Sequence, residues 1–204
     1  KLRLRATANL LTRRDVIIVA SVSCIYGLGS PSEYFDLMVR IKKGDVYDRD
    51  KILHDLVRIQ YTRNDFSLDR GSFRVHGDVI EIHPSYDEEG LRIELFGDEV
   101  DRLVRFNIIT GEVTQEMDEM TIAPAKHFVT KEKGRAGILQ RMQVELTERL
   151  AELDKEGKVL ESARLSSRTR YDMEMIRETG MCSGIENYSR IIENRAPGTR
   201  PFTL

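Results

Sequence analysis

The sequence predicts an α+β fold: an antiparallel sheet meander covered by two helices, inserted into a partial α/β domain and followed by a helical segment. Three observations carry this. A continuous β-branched run, Val16-Ile17-Ile18-Val19, has the pattern of a strand buried on both faces of a parallel sheet. From Gly71 to Pro124 the hydrophobic period is two, punctuated by turn signals at "HGDV", "FGDE" and "ITGEV". After Pro124 the helical period returns.

The elements follow in order. After the first strand, "GSPSEYFDLMVRIKKG" reads as a helix, with Ser30 as N-cap, Pro31 at its first position and Gly44 just past its end. A second helix is expected from about Asp48 to Gln60, with Ile52, Leu53, Leu56, Val57 and Ile59 on its apolar face. The meander should hold four to six strands in one sheet. Its apolar face collects Phe73, Val75, Ile80, Ile82, Leu91, Ile93, Leu95 and Val100, which the two helices cover. A regular turn at Gly97-Asp98 sets Arg102 opposite Ile93, a charge in an apolar slot.

A long helix from roughly 131 to 156 carries Ile138, Leu139, Met142, Leu146, Leu150 and Leu153 on one side, a stripe that reads as helix packing. Gly157 breaks it, and a second helix runs to about Glu178. Gly180 is its stop, and Ser183-Gly184 turns into a short helix. The closing "RAPGTRPFTL" is a Pro/Gly loop with no closing element, so the chain is expected to be cut from a longer one. The expected organisation is a partial α/β domain over 1–30, an inserted module over 31–124 and a helical segment over 125–204.

The 204 residues suffice for one or two domains with a core, and 40% hydrophobic with 32% charged residues is the composition of a soluble globular protein. No apolar run approaches the ~18–20 residues that span a membrane, and the basic start lacks a signal peptide's apolar core. Two lone cysteines, Cys24 and Cys182, fit a reducing cytoplasm. Net charge is −2, but it is unevenly spread: residues 1–30 hold five basic residues and one acid, and residues 84–120 hold three basic and eleven acidic ones. The second segment should repel phosphate.

Catalytic constellations are missing. There is no Walker A pattern, no G-x-S-x-G elbow and no histidine pair at metal-ligand spacing, with His54, His76, His83 and His127 scattered. No metal, cofactor or catalytic residue is expected in this chain, and it is not read as an enzyme.

Two stretches, "DVIIVASVSCIYGLGSPSEY" and "RTRYDMEMIRETGMCSGIENYSR", closely resemble the UvrB family, the DNA-damage-handling subunit of bacterial nucleotide excision repair. A third, "IQYTRNDFSLDRGSFRVHGDVIEIHP", is similar to that family's inserted domain 2. The resemblance covers essentially the whole chain in the same order. It implies a helicase-like domain 1a over 1–30, domain 2 over 31–124 and a helical part of domains 1b and 1a after it. It also implies an ATPase whose P-loop and acidic ATP motif lie outside these residues, so ATP belongs to the full-length family only.

Domain 2 in that family docks onto UvrA, the protein that loads UvrB onto damaged DNA. Matching residue by residue implies UvrA contacts at Arg63, Arg74, Arg92, Glu94 and, more loosely, Phe96. Where the family pattern usually has arginine this sequence has His76, only partly charged near neutral pH. DNA, through the flanking segments, and UvrC are the other implied partners of the intact protein.

The residues support the same patch. With a Gly77-Asp78 turn, Arg74 pairs across the hairpin with Glu81, and Arg74, His76, Glu81 and His83 share the open face. Arginines beside acids and an exposed aromatic suit a protein interface. The competing reading takes Arg74–Glu81 and Arg92–Glu94 as ordinary solvated pairs worth ~0–1 kcal/mol. On either reading, losing Arg74 or Arg92 is expected to cost about 0.5 kcal/mol of stability.

Elsewhere, Ser21 and Ser23 at the end of the first strand are candidates for donating to DNA phosphates, or for satisfying local backbone groups. Tyr188 and Arg190 in "SGIENYSR" are candidates for the DNA path or for packing, Tyr188 being as well suited to a core as to a stacking platform. A protein-docking module and a direct nucleic-acid-binding domain are thus the two functional classes. The acidic 84–120 segment favours the first.

Overall fold

The basic start of the chain, with alanines and leucines and no proline, forms a helix, α1 (Leu2–Thr12), that buries Ala8. Thr7 and Thr12 donate their hydroxyls to carbonyls one turn back, at 3.0 and 2.8 Å. The computed structural model describes residues 2–21, 29–127 and 132–203. They fall into two compact units, a sheet unit (2–21 and 31–127) and a helical unit (29–30 and 132–203).

The expected strand at 16–19 does not form. Residues 16–21 are neither helix nor strand, and Ile17 and Val19 are 94% and 97% exposed. Among the described residues no strand pairs with this stretch. A parallel strand depends on hydrogen bonds from neighbours and on cover over both faces, so β-branching alone cannot hold it.

The next helix is shorter than its periodicity suggested. α2 (Pro31–Leu37) begins at the expected proline, but Val39–Lys42 continues as a strand, β1, with alternate residues buried. The cause is a partner. β8 (Glu119–Ile122) pairs antiparallel with β1, from Val39 opposite Ile122 to Lys42 opposite Glu119. Ile41 and Ile122 are fully buried, each stabilising by about 1.5–3 kcal/mol, which outweighs the small helical preference of a short segment.

α3 (Arg49–Arg58) forms where expected, except that Val57, read as part of its apolar face, is exposed. Asp48 caps it by accepting from the amide of Asp50 at 2.9 Å, and Ile52, Leu56 and the following Ile59 are fully buried. The helix ends in a left-handed turn at Gln60 (φ 72°), where Gln60 and Tyr61 donate to the carbonyls of Val57 and Leu56.

The main sheet has six strands in chain order: β2 (Thr62–Arg63), β3 (Ser72–His76), β4 (Val79–His83), β5 (Gly90–Phe96), β6 (Glu99–Phe106) and β7 (Val113–Met117). All neighbours are antiparallel except β2 with β3. Phe73, Ile80, Ile82, Leu91, Ile93, Leu95, Val100 and Leu103 are buried in its core. Arg102 does not face Ile93. A bulge between Glu94 and Leu95 of the pairing slips the register by one residue, so Leu103 meets Ile93 and Arg102 meets Glu94. One extra residue takes the charge out of the apolar layer.

Three tyrosines hold the segment that leaves β8. Tyr61 donates to the carbonyl of Ala123 (3.1 Å), Tyr34 donates to that of Pro124 (3.3 Å), and the Ala123 amide donates to the Tyr86 hydroxyl (3.1 Å). Ala8, Tyr34, Met38 and Ala123 form a small second cluster, so α2 packs with α1.

The helical unit is a hairpin of α4 (Glu132–Lys155) and α5 (Val159–Thr179), followed by a 3-10 turn (Ile185–Tyr188) and α6 (Ser189–Ile192). The expected breaks hold, with Gly157 and the C-cap Gly180 both at positive φ. Ile138, Leu139 and Met142 of α4 pack with Met173 and Ile176 of α5 and with Cys182, Ile185, Ile191 and Ile192.

Candidate functional site

The open face of the main sheet carries a chain of alternating charges. Cross-strand pairing sets Arg74, Glu81, Arg92, Val104 and Glu116 in one row, and His76, Val79, Glu94 and Arg102 in the next. Arg74 donates to Glu81 at 2.6 Å, and Arg92 donates to the other oxygen of Glu81 at 2.8–2.9 Å. Glu94 lies between Arg92 (3.9 Å) and Arg102 (3.8 Å), and Arg102 pairs in turn with Glu116. Three guanidinium groups and three carboxylates thus link β3 through β7.

Burial grades along this chain. Glu81 is 5% exposed, so the face is not uniformly open as the alternation implied, and His83 is buried too. The Glu116 end is in solvent. Arg92 prefers Glu81 to Glu94 because Glu81 lies directly across the strand pair. Its guanidinium also stacks on Phe106, 4.6 Å from the ring centre. Phe106 reaches that place because Gly90 lies beneath it: a Cβ there would sit 2.5 Å from the ring.

The remaining residues of the expected docking set border this network. His76 is exposed at the end of β3. Phe96, two residues beyond Glu94 on β5, is 82% exposed at the β5–β6 turn. Arg63 on β2 pairs with Asp65 at 2.9 Å, and that bond holds the Asp65 carboxyl below its usual range. Asp65 also accepts the amide of Val75 at 3.0 Å, which ties this pair to β3. All six residues therefore belong to one unit and to strands β2, β3 and β5. Sequence reasoning missed Arg102, Glu116 and the central role of Glu81. The misfit of Arg102 was the signal for the first.

The DNA candidates are differently placed. Ser21 is exposed at the end of an irregular stretch, and Ser23 lies outside the described residues. Tyr188 packs against the helical core, and its phenol donates to the buried Asp172 at 2.7 Å. Burial and that bond push its pKa up to about 12. Arg190 is paired with Glu145.

A cleft of about 520 Å³ in the sheet unit lies between α1 and the sheet, lined by Arg5, Asn9, Tyr86, Asp87 and Arg105 among others. Arg105 is already neutralised there by Asp87 at 2.8 Å, which leaves no concentrated charge for a ligand. His127 is half-buried beside Tyr34, and that burial lowers its pKa to about 4. Among the described residues no group of histidine, cysteine or acidic side chains could hold a metal ion, and no helix is long and apolar enough to cross a membrane.

Residues 39–128 match the model of the UvrB interaction domain, and residues 134–194 match that of the UvrB third helical domain. The whole chain is 54% identical over 204 residues to UvrABC system protein B of Mycobacterium bovis, of which it covers 28%. It is 56% identical over 205 residues to that of Geobacillus kaustophilus and 54% identical over 205 to that of Carboxydothermus hydrogenoformans, covering 31% of each. The chain therefore spans less than a third of the length of the curated relatives it matches. With two domain models matched in order and more than half of its residues identical along its whole length, the chain belongs to the UvrB family.

Proposed function

We propose that this chain is the part of a UvrB-type protein that docks onto UvrA, for loading at DNA lesions in nucleotide excision repair, and that the mixed-charge sheet face is the docking surface. The observation that carries this is the graded Arg74–Glu81–Arg92–Glu94–Arg102–Glu116 chain, fixed at its buried centre and open at its rim beside the exposed Phe96. Arginines held by a buried carboxylate are preorganised, so little side-chain entropy remains to be lost on binding. An aromatic among such charges has the composition of a binding hot spot. Three carboxylates on the face, two of them within the acidic 84–120 segment, oppose direct phosphate binding.

In this reading the chain by itself hydrolyses no ATP and needs no cofactor. It works in the cytoplasm, and contacts with DNA and UvrC belong to the intact protein. The test is calorimetric titration of the chain with its cognate UvrA. Arg63→Glu combined with Phe96→Ala should weaken binding at least ~100-fold, since reversing an interface charge and truncating an anchor each cost on the order of 2 kcal/mol or more. Both side chains are exposed, so the melting temperature should hold. Affinity within about twofold of the wild type would refute the docking face.

A further inference from the structure

Phe66 is 99% exposed, in the loop between β2 and β3. A large apolar side chain in water is unremarked when its loop is loosely held. This loop is not. Asn64 accepts from the amides of Phe66 (3.1 Å) and Ser67 (3.3 Å) and donates to the Ser67 hydroxyl (2.8 Å). Ser67 donates on to Asp69 (2.7 Å), and Ser72 donates to the Asp69 carbonyl (2.7 Å). The Leu68 carbonyl lies 3.0 Å from the buried His83 ring, and the Asn64 amide donates to Phe73 (2.9 Å). Both sides of the loop are bonded, and the aromatic at its tip is held out.

The loop is continuous with the charged face. Asp65, the residue before Phe66, accepts from Val75 next to Arg74 and pairs with Arg63. Asp65 and Asp69 flank the tip with Arg63 and Arg70 beyond them, a mixed-charge rim around an aromatic that suits a protein. We propose that Phe66 is a preformed aromatic anchor for the same protein partner, entering an apolar pocket on it while Arg63, Asp65 and the sheet charges form the polar rim; this rests on the docking reading above. A fixed loop has already lost the freedom that a flexible one would lose on binding, which is what makes such an aromatic effective.

The experiment titrates cognate UvrA with the whole chain carrying Phe66→Ala, and with Ile109→Ala as control. Ile109 is likewise exposed (95%), in the turn between β6 and β7, away from the loop. Phe66→Ala should weaken binding at least about tenfold, with the melting temperature held within about 2 °C. Ile109→Ala should bind as the wild type does, and Phe66→Trp should restore binding. Unchanged affinity in Phe66→Ala, or equal losses in both alanine variants, overturns the anchor. The Arg63→Glu, Phe96→Ala variant measured alongside separates the two claims. If it loses binding while Phe66→Ala does not, only the anchor fails; if it binds normally, the docking reading itself fails.

Discussion

Glu81 of the sheet unit and Asp172 of the helical unit are both buried carboxylates, and the two are held in opposite ways. Glu81 in the sheet unit is gripped by two guanidinium groups, Arg74 and Arg92, whose outer sides reach the surface. Asp172 in the helical unit, 3% exposed, takes a neutral phenol at 2.7 Å and only a distant guanidinium, Arg168 at 3.6 Å. The first arrangement spends a buried charge on aiming others outward. The second turns inward and braces the 3-10 turn against α5. A buried carboxylate whose partners are cationic and half-exposed holds those charges at the surface.

The sharpest way to break the contrast is Arg74→Glu combined with Arg92→Glu. The expectation of about 0.5 kcal/mol per residue rested on both side chains lying off the apolar face. With Glu81 buried between them, the reversal leaves its charge uncompensated and adds two more, so the cost should be about 3–5 kcal/mol. Urea unfolding measures it. A loss under about 1 kcal/mol would mean that water reaches Glu81 and that the face is an ordinary surface. The same argument disqualifies this variant as a probe of binding.

Alkaline pH should separate the units next. Burial raises the phenols of Tyr34, Tyr61 and Tyr86 in the sheet unit, whereas the helical unit has Tyr188, raised to about 12. Unfolded phenols ionise near pH 10, while the folded ones keep their protons. Above that pH the unfolded state binds fewer protons, so stability falls as pH rises toward the folded values. Each buried phenol contributes about 1.4 kcal/mol per pH unit of that fall. Amide exchange followed from about pH 9 to 11 should show the sheet unit opening first. Equal loss in both units would sink the comparison.

The smallest effect expected is that of Tyr188→Phe. Losing the phenol leaves Asp172 with its distant arginine alone and should cost the helical unit about 1–2 kcal/mol, with the sheet unit unaffected. Thermal unfolding followed separately in the two units would test this. No loss would mean that Arg168 closes on Asp172 and that the two carboxylates are held alike.

Much of this was legible in the residues. Asp48 and the apolar period of 48–60 placed α3, the turn glycines placed the β3–β4 and β5–β6 hairpins, and Gly157 and Gly180 bounded the long helices. The Arg74–Glu81 pairing followed from turn length alone. The two misassigned elements failed for one cause. Val39–Lys42, which alternates apolar and basic residues, and the apolar run Val16–Val19 are both short stretches whose state depends on a partner far away in sequence. β8 pairs with the first, and no described strand pairs with the second.

The docking candidates divide along the same line. By itself, the sequence determined which side chains alternate along each strand, and so that Arg74, Arg92, Glu94 and Phe96 lie off the apolar side, because a strand's period of two is local. Its identity along the whole length determined the family. Only the tertiary structure decided that Glu81 is buried, that a bulge brings Arg102 and Glu116 into the same charge chain, and that a bonded loop holds Phe66 in water. Burial and register are properties of neighbours across strands, and no local pattern encodes how deep a charge will lie once those neighbours close around it.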